Sequence, residues 1–226
     1  SHANDSVDEF SHTVDWALRM VLLIGIPSAV GLLLLARPML VTLFNYGDFG
    51  AVDVDMAGLS LMAYAVGLPG FMLVKVLAPA FYSRKDTTTP VRIAIAALLT
   101  NMVLNLLFVV PMVMLDITGP HAGLALATSL AAWVNAGLLF HVLKKKQVYR
   151  PASGWPRLFL QLGCAALALA VVLTLGMPPL HAWLEWPAWS RVAGLLLWVL
   201  AGMLSYLIAL QLCGLRIMAL LQQRQD

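Results

Sequence analysis

Six stretches of this chain run without a single Asp, Glu, Lys or Arg: 20–36, 56–74, 93–115, 117–143, 158–184 and 192–215. A hydrocarbon core of about 30 Å is crossed by a helix of roughly 20 apolar residues, and each stretch reaches that length once its flanks are counted. The first effectively begins near Thr13, because Asp15 and Arg19 fall in its opening turns. β-Barrel strands would alternate in segments of about ten residues, whereas Val21–Leu35 and Leu195–Leu210 are apolar on every face. In lipid each segment must satisfy its own backbone, so the expected fold is all-α, a polytopic membrane bundle of six transmembrane helices.

Composition agrees: 61% of the 226 residues are apolar, 11% are charged, and the mean hydropathy is +0.86. The net charge of +3 is too small and too scattered for a phosphate-tracking surface, which argues against a nucleic-acid partner. Ser1 to Phe10 is polar and acidic, unlike a secretory signal, and no initiating Met is present, so the chain is expected to be cut from something longer. Cys164 and Cys213 lie in the last two apolar runs without a Cys or His at metal spacing, and are read as small apolar filler.

Threading six spans puts eleven cations on one side: Arg19, Arg84, Lys85, Arg92, Lys144, Lys145, Lys146, Arg150, Arg157, Arg216 and Arg224. Only Arg37 and Arg191 fall on the other, with Asp48, Asp53, Asp55, Asp116 and Glu185. The positive-inside rule then places both termini in the cytoplasm. Trp16, Trp155, Trp183, Trp186 and Trp189 map to span ends, where an indole ring sits in the interface with its N–H in water, and Trp133 and Trp198 are read as deeper packing residues. Pro178, Pro179 and Pro187 stop the helix between spans five and six, so His181–Trp189 is expected along the outer surface.

Four features inside the spans carry chemistry. Pro27 in span one, and Gly67, Pro69 and Gly70 with Pro79 in span two, predict bent helices that serve either as plain kinks or as mobile hinges. Gly123, Ala127, Ala131 and Asn135 in span four, and Ala201, Ser205 and Ala209 in span six, recur every four residues and read as packing seams. Thr100, Asn101 and Asn105 lie about half-way along span three; the two amides share a face and either bond to a neighbouring helix, with Asn135 a candidate, or line a cavity for a polar substrate. Lys75 is the one charge within a span, nine residues before Arg84 and so about 13 Å from it along a helix. It either snorkels or faces a watery cavity and an anionic substrate. No phosphate loop, metal-ligand cluster or paired carboxylates accompany these residues, and His12, His121 and His141 are dispersed, so neither an enzyme nor a cofactor is expected.

The segment LAPAFYSRKDTTTPV (residues 77–91), with VDWALRMVLLIGIPSAVGLLLLARPMLVTLFNYGDF (14–49) and HAGLALATSLAAWVNAGLL (121–139), closely resembles the MurJ (MviN) family of lipid II flippases in the MOP exporter superfamily. The resemblance is strongest over 12–150. It implies a fourteen-helix, two-lobe, MATE-like transporter that moves undecaprenyl-pyrophosphate-linked peptidoglycan precursor across the bacterial cytoplasmic membrane by alternating access. On that map residues 1–150 resemble the last four helices of the second lobe, and 151–226 the two additional helices that offer an apolar groove to a lipid tail. The implied partners are lipid II, membrane lipids and the absent N-terminal half, whose cavity arginines have no positions here. Lys75, Arg84, Asn101 and Asn105 are the candidate substrate contacts, and Pro27, Gly67, Pro69 and Gly70 the candidate hinges. The alternatives are another polysaccharide-lipid flippase of the superfamily or a non-catalytic membrane scaffold.

Overall fold

A computed structural model describes residues 2–117 and 119–215, with the side chains of 2–7 left aside. Arg216 and Arg224, two of the cations assigned to one side, lie outside the described residues. The described chain is helical throughout: α1 (His2–Phe44), α2 (Ala51–Tyr82), α3 (Thr88–Met114), α4 (Pro120–Lys145), α5 (Trp155–Gly176), α6 (Leu180–Glu185) and α7 (Ala188–Leu212). All but α6 are long and apolar enough to cross a membrane. Gly119 (φ 91°) and Gly154 (φ 94°) turn the chain into α4 and α5 through a left-handed conformation open to glycine, each just ahead of a proline in the first helical turn.

The connecting turns alternate between two ends of the bundle, as the threading required. At one end the N-terminal part of α1 meets the α4–α5 linker, where Arg150 N donates to Ser11 Oγ at 2.9 Å. The α2–α3 turn meets the same linker through Lys146 Nζ and Asp86 Oδ2 at 2.7 Å. At the other end Arg37 Nε lies 3.0 Å from Asp55 Oδ1, and His121 Nε2 lies 2.9 Å from the Met56 carbonyl. The two cations that broke the charge asymmetry are therefore both engaged: Arg37 with that carboxylate, and Arg191, 8% exposed, with backbone carbonyls described below.

Helix α1 is the axis of the assembly. On one side it packs against α2, which packs on α4, and α4 in turn carries α3; on the other it carries α5, α6 and α7. Helix α3 has just three buried residues, Pro90, Ile93 and Ala97, and presents Leu98, Leu99, Met102, Val103, Leu106 and Leu107 outward.

The helix of the fifth apolar run ends at Gly176, and the Pro178–Pro179 pair separates α5 from α6, as those prolines predicted. Three other expectations need correction. Helix α6 does not simply lie along the surface: Trp183 is fully buried against Leu40, Val41 and Val54 and touches Trp186 with centroids 5.0 Å apart, so it plugs the end of α1 and α2 rather than anchoring in the interface. The Trp155 N–H bonds Asp15 Oδ1 at 2.9 Å instead of water. In α7 the buried line is Gly202, Tyr206 and Leu210, one residue beyond the predicted Ala201, Ser205, Ala209 stripe, which only flanks it.

Candidate functional site

The small stripe of α4 does approach a neighbour closely. A Cβ on Gly123 would lie 3.1 Å from Met112 Sδ and 3.3 Å from Phe108 Cβ, so this face receives α3. A second small stripe, Ala125, Ser129, Ala132 and Ala136, is buried on the side of α4 that meets α2. It was not singled out in the sequence because small residues crowd all of span four.

Against it stand the candidate hinge glycines. A Cβ on Gly67 would lie 2.5 Å from Ser129 Oγ and 2.7 Å from Ser129 Cα, and one on Gly70 would lie 3.1 Å from Trp133 N. Only hydrogen at these positions lets the two backbones meet. Pro69 removes a backbone donor from α2, and carbonyls loosened around such a break must be satisfied by neighbours in lipid. Two α4 side chains bond α2 carbonyls beside this break: Ser129 Oγ donates to the Ala63 carbonyl at 2.7 Å, and Trp133 Nε1 donates to the Val66 carbonyl at 2.9 Å. Trp133 is thus a polar brace as well as a packing residue. On the opposite side of α2, a Cβ on Gly25 of α1 would come within 3.6 Å of Pro69 Cα. Pro27, the remaining candidate hinge, lies two residues further along α1, on the wall of an apolar groove.

Beside the α2–α4 seam opens a cleft of about 390 Å³ bounded by α2, α3 and α4, and Lys75, Asn101 and Asn135 line it with Thr128. Lys75 is exposed there, with no carboxylate at ion-pair distance among the described residues. The amide oxygens of Asn101, Asn105 and Asn135 are buried and accept no hydrogen bond among the described residues. The expected Asn101–Asn135 bond is therefore not made, although both residues face one space. A buried acceptor without a donor costs about 1–3 kcal/mol, so these oxygens mark where a donor is missing. Asn105, one turn further along α3, is not part of the cleft lining.

Arg84 is elsewhere. With Asp86 and Lys146 it borders a separate cavity of about 400 Å³ in the α2–α3 turn, beyond the cleft of Lys75. Asp86 accepts from Lys146, from Thr89 Oγ1 at 2.7 Å and from Thr89 N at 3.0 Å, and these bonds, the lysine first, hold its pKa at about 2. Arg84 itself remains exposed.

Two apolar grooves complete the surface. One, of about 590 Å³, runs between α1, α5 and α7 past Pro27, Gly31, Trp198 and Tyr206. The other, of about 620 Å³, lies between α1, α2, α4 and the start of α5, with Pro69, Trp133, Phe140 and Trp155 in its walls. Fold and cleft together define a multi-pass membrane protein in which one cation of α2 opens onto a cleft lined by amides.

Comparison with known proteins makes the class specific. The family model described as Lipid II flippase MurJ matches residues 1–209, and the chain belongs to that family. It is 40% identical over 216 residues to the probable lipid II flippase MurJ of Vibrio cholerae, covering 96% of this chain and 40% of the relative. It is 43% identical over 170 residues to the lipid II flippase MurJ of Burkholderia cenocepacia, covering 75% of this chain and 32% of the relative. A solved structure of lipid II flippase MurJ in an inward closed conformation superposes with a TM-score of 0.70 at 26% identity, over 88% of this chain and 38% of that one. The chain thus spans about 40% of the length of such relatives, and the family is one of transporters rather than enzymes.

Proposed function

We propose that this chain is the C-terminal part of a lipid II flippase of the bacterial cytoplasmic membrane, moving the lipid-linked peptidoglycan precursor from the cytoplasmic to the periplasmic leaflet by alternating access. The observation that carries the reading is Lys75: a cation on a spanning helix, open to a cleft where the amide oxygens of Asn101 and Asn135 lack donors. A pyrophosphate-sugar head cannot enter hydrocarbon unpaired, and a flexible ammonium among amides offers it charge and hydrogen bonds in a water-lined passage. On this reading Arg84, in the turn just past α2, meets the head first, and Asn101 and Asn105 meet it further in. The apolar grooves beside α5 and α7 suit the isoprenoid tail.

On this reading residues 1–150 form the last four helices of the second lobe, 151–226 form the additional pair, and both termini are cytoplasmic, which the cation-rich end of the bundle supports. The Gly67–Pro69–Gly70 segment is the point where α2 changes direction between states. The test is a leaflet-specific assay of lipid-linked precursor in cells depleted of the full-length protein and complemented with variants. Depletion is expected to trap precursor inside, and Lys75→Gln to restore outward precursor at least tenfold less than wild type. If precursor still reaches the outer leaflet after depletion, the flippase reading is wrong; wild-type export by Lys75→Gln removes that residue from the passage.

A further inference from the structure

Helix α1 contains Pro27, whose missing N–H leaves the carbonyl of Leu23, four residues back, without its helical donor. That carbonyl is not orphaned: Tyr206 Oη of α7 donates to it at 2.9 Å, from a side chain only 4% exposed. The same two bodies are pinned at each end. Near one end Asp15 Oδ1 accepts from Tyr149 Oη at 2.5 Å, Trp155 Nε1 at 2.9 Å and Ala152 N at 3.1 Å, while Asp15 Oδ2 accepts from Arg19 Nε at 2.6 Å. Arg19 also donates to the Ser153 carbonyl at 2.9 Å and lies over the Trp155 ring at 5.1 Å. Near the other end Arg191 of α7 donates to the carbonyls of Trp186 (2.9 Å), Leu184 (2.8 Å), Asn45 (3.2 Å) and Val41 (3.4 Å), gathering the last turn of α1 with α6.

We infer that the α5–α7 unit is a splint for α1, and that Tyr206 is its central positioning residue, fixing the course of α1 across Pro27 by taking the carbonyl that proline frees. Asp15 and Arg191 fix the splint at its two ends. Helix α1 then keeps one course and carries α5, α6 and α7 as a single body, and the apolar groove between α1, α5 and α7 keeps its shape. This confines the motion at Pro27, one of the hinges suggested above, and rests on hydrogen bonds rather than on any substrate.

The test uses the full-length protein in nanodiscs, with spin labels at the exposed positions His12 and Leu43 to report the course of α1, and at Leu43 and Leu196 to report the gap between α1 and α7. Pulsed dipolar spectroscopy is expected to give one narrow distance for each pair in wild type, with or without lipid-linked substrate. Tyr206→Phe, which keeps the ring and should fold, is expected to widen the 12–43 distribution at least twofold. Adding Pro27→Ala, which returns an N–H to Leu23, is expected to restore the narrow distribution. Arg191→Met should widen 43–196 instead. Unchanged 12–43 width in Tyr206→Phe, or failure of Pro27→Ala to rescue it, overturns the role of Tyr206. A 43–196 distance that shifts with substrate in wild type overturns the splint. Flipping is assayed separately, so failure of the transport reading would leave these outcomes readable.

Discussion

Helix α1–α2–α4 contacts and the α1–α5–α7 contacts solve the same problem by different means. Where α2 meets α4, glycine and serine let backbones touch at mid-depth, and α4 side chains bond α2 carbonyls across the seam. Where α1 meets α5 and α7, the filling is bulky: Leu22, Leu23, Leu162, Leu169, Leu173 and Leu210. Lipid tails are as apolar as leucine, so such a seam gains little from burial and needs other attachment. It has it at three heights, in Asp15, Tyr206 and Arg191. The small-residue seam adds its polar bonds to close backbone contact; the leucine seam, without that contact, is held by its polar pins.

The pins should therefore cost most to remove. Asp15→Ala leaves Arg19 and three further donors around an empty acceptor site, and breaking a buried ion pair from one side typically costs about 3–5 kcal/mol. The expected result is a large fall in the thermal midpoint of the detergent-solubilised full-length protein. A small fall would mean that the leucine seam holds without its pin. Tyr149, the strongest neutral donor to Asp15, stays protonated because burial, and then the bond to the carboxylate, raises its pKa above the ordinary tyrosine range, so this pin should not weaken in mild alkali.

Next in size is Gly67→Ala. The added methyl has no room against the Ser129 backbone, and overpacking of this kind costs about 1–3 kcal/mol. Thermal melting and disulfide trapping of cysteine pairs across α2 and α4 would report it, and an unchanged midpoint would show the seam to be looser than its geometry. Trp133→Phe keeps the ring and deletes one bond to Val66, which in membrane interiors is worth about 1 kcal/mol. Chemical denaturation in mixed micelles should detect that difference, and a neutral result would reassign Trp133 to packing alone.

The smallest effect belongs to the exposed pair Asp86–Lys146. Because the folded pKa of Asp86 lies at about 2, below its ordinary value of 3.8, its contribution is complete above pH 5 and fades as pH falls through 3.8 toward 2. The difference in melting temperature between wild type and Asp86→Asn should accordingly be small at pH 6 and shrink toward zero as pH falls to about 2 and below. A difference that grows on acidification would contradict the sign.

Much of this molecule was legible before folding. The charge-free runs marked six spans, the cation asymmetry marked the two ends, and the four-residue spacing from Gly123 found one true seam. Asp15 was visible only as a charge in an opening turn, because its partners Tyr149, Ala152 and Trp155 are more than 130 residues away. Trp183 looked like an interfacial anchor because periodicity cannot tell that α6 folds back under α1. Asn101 and Asn135 could be paired on paper; their side chains share a cleft without bonding.

What the sequence by itself determined is the number of crossings, their approximate limits and the side on which cations collect, since these follow from transfer energies summed along the chain. Which face of each helix meets protein and which meets lipid was decided only in three dimensions, because both surroundings are apolar and hydropathy is nearly blind to the difference. The same holds for the carbonyl that Pro27 frees: the orphan is announced by the proline, but its donor, Tyr206 for Leu23, comes from a helix 183 residues away and is named only by packing.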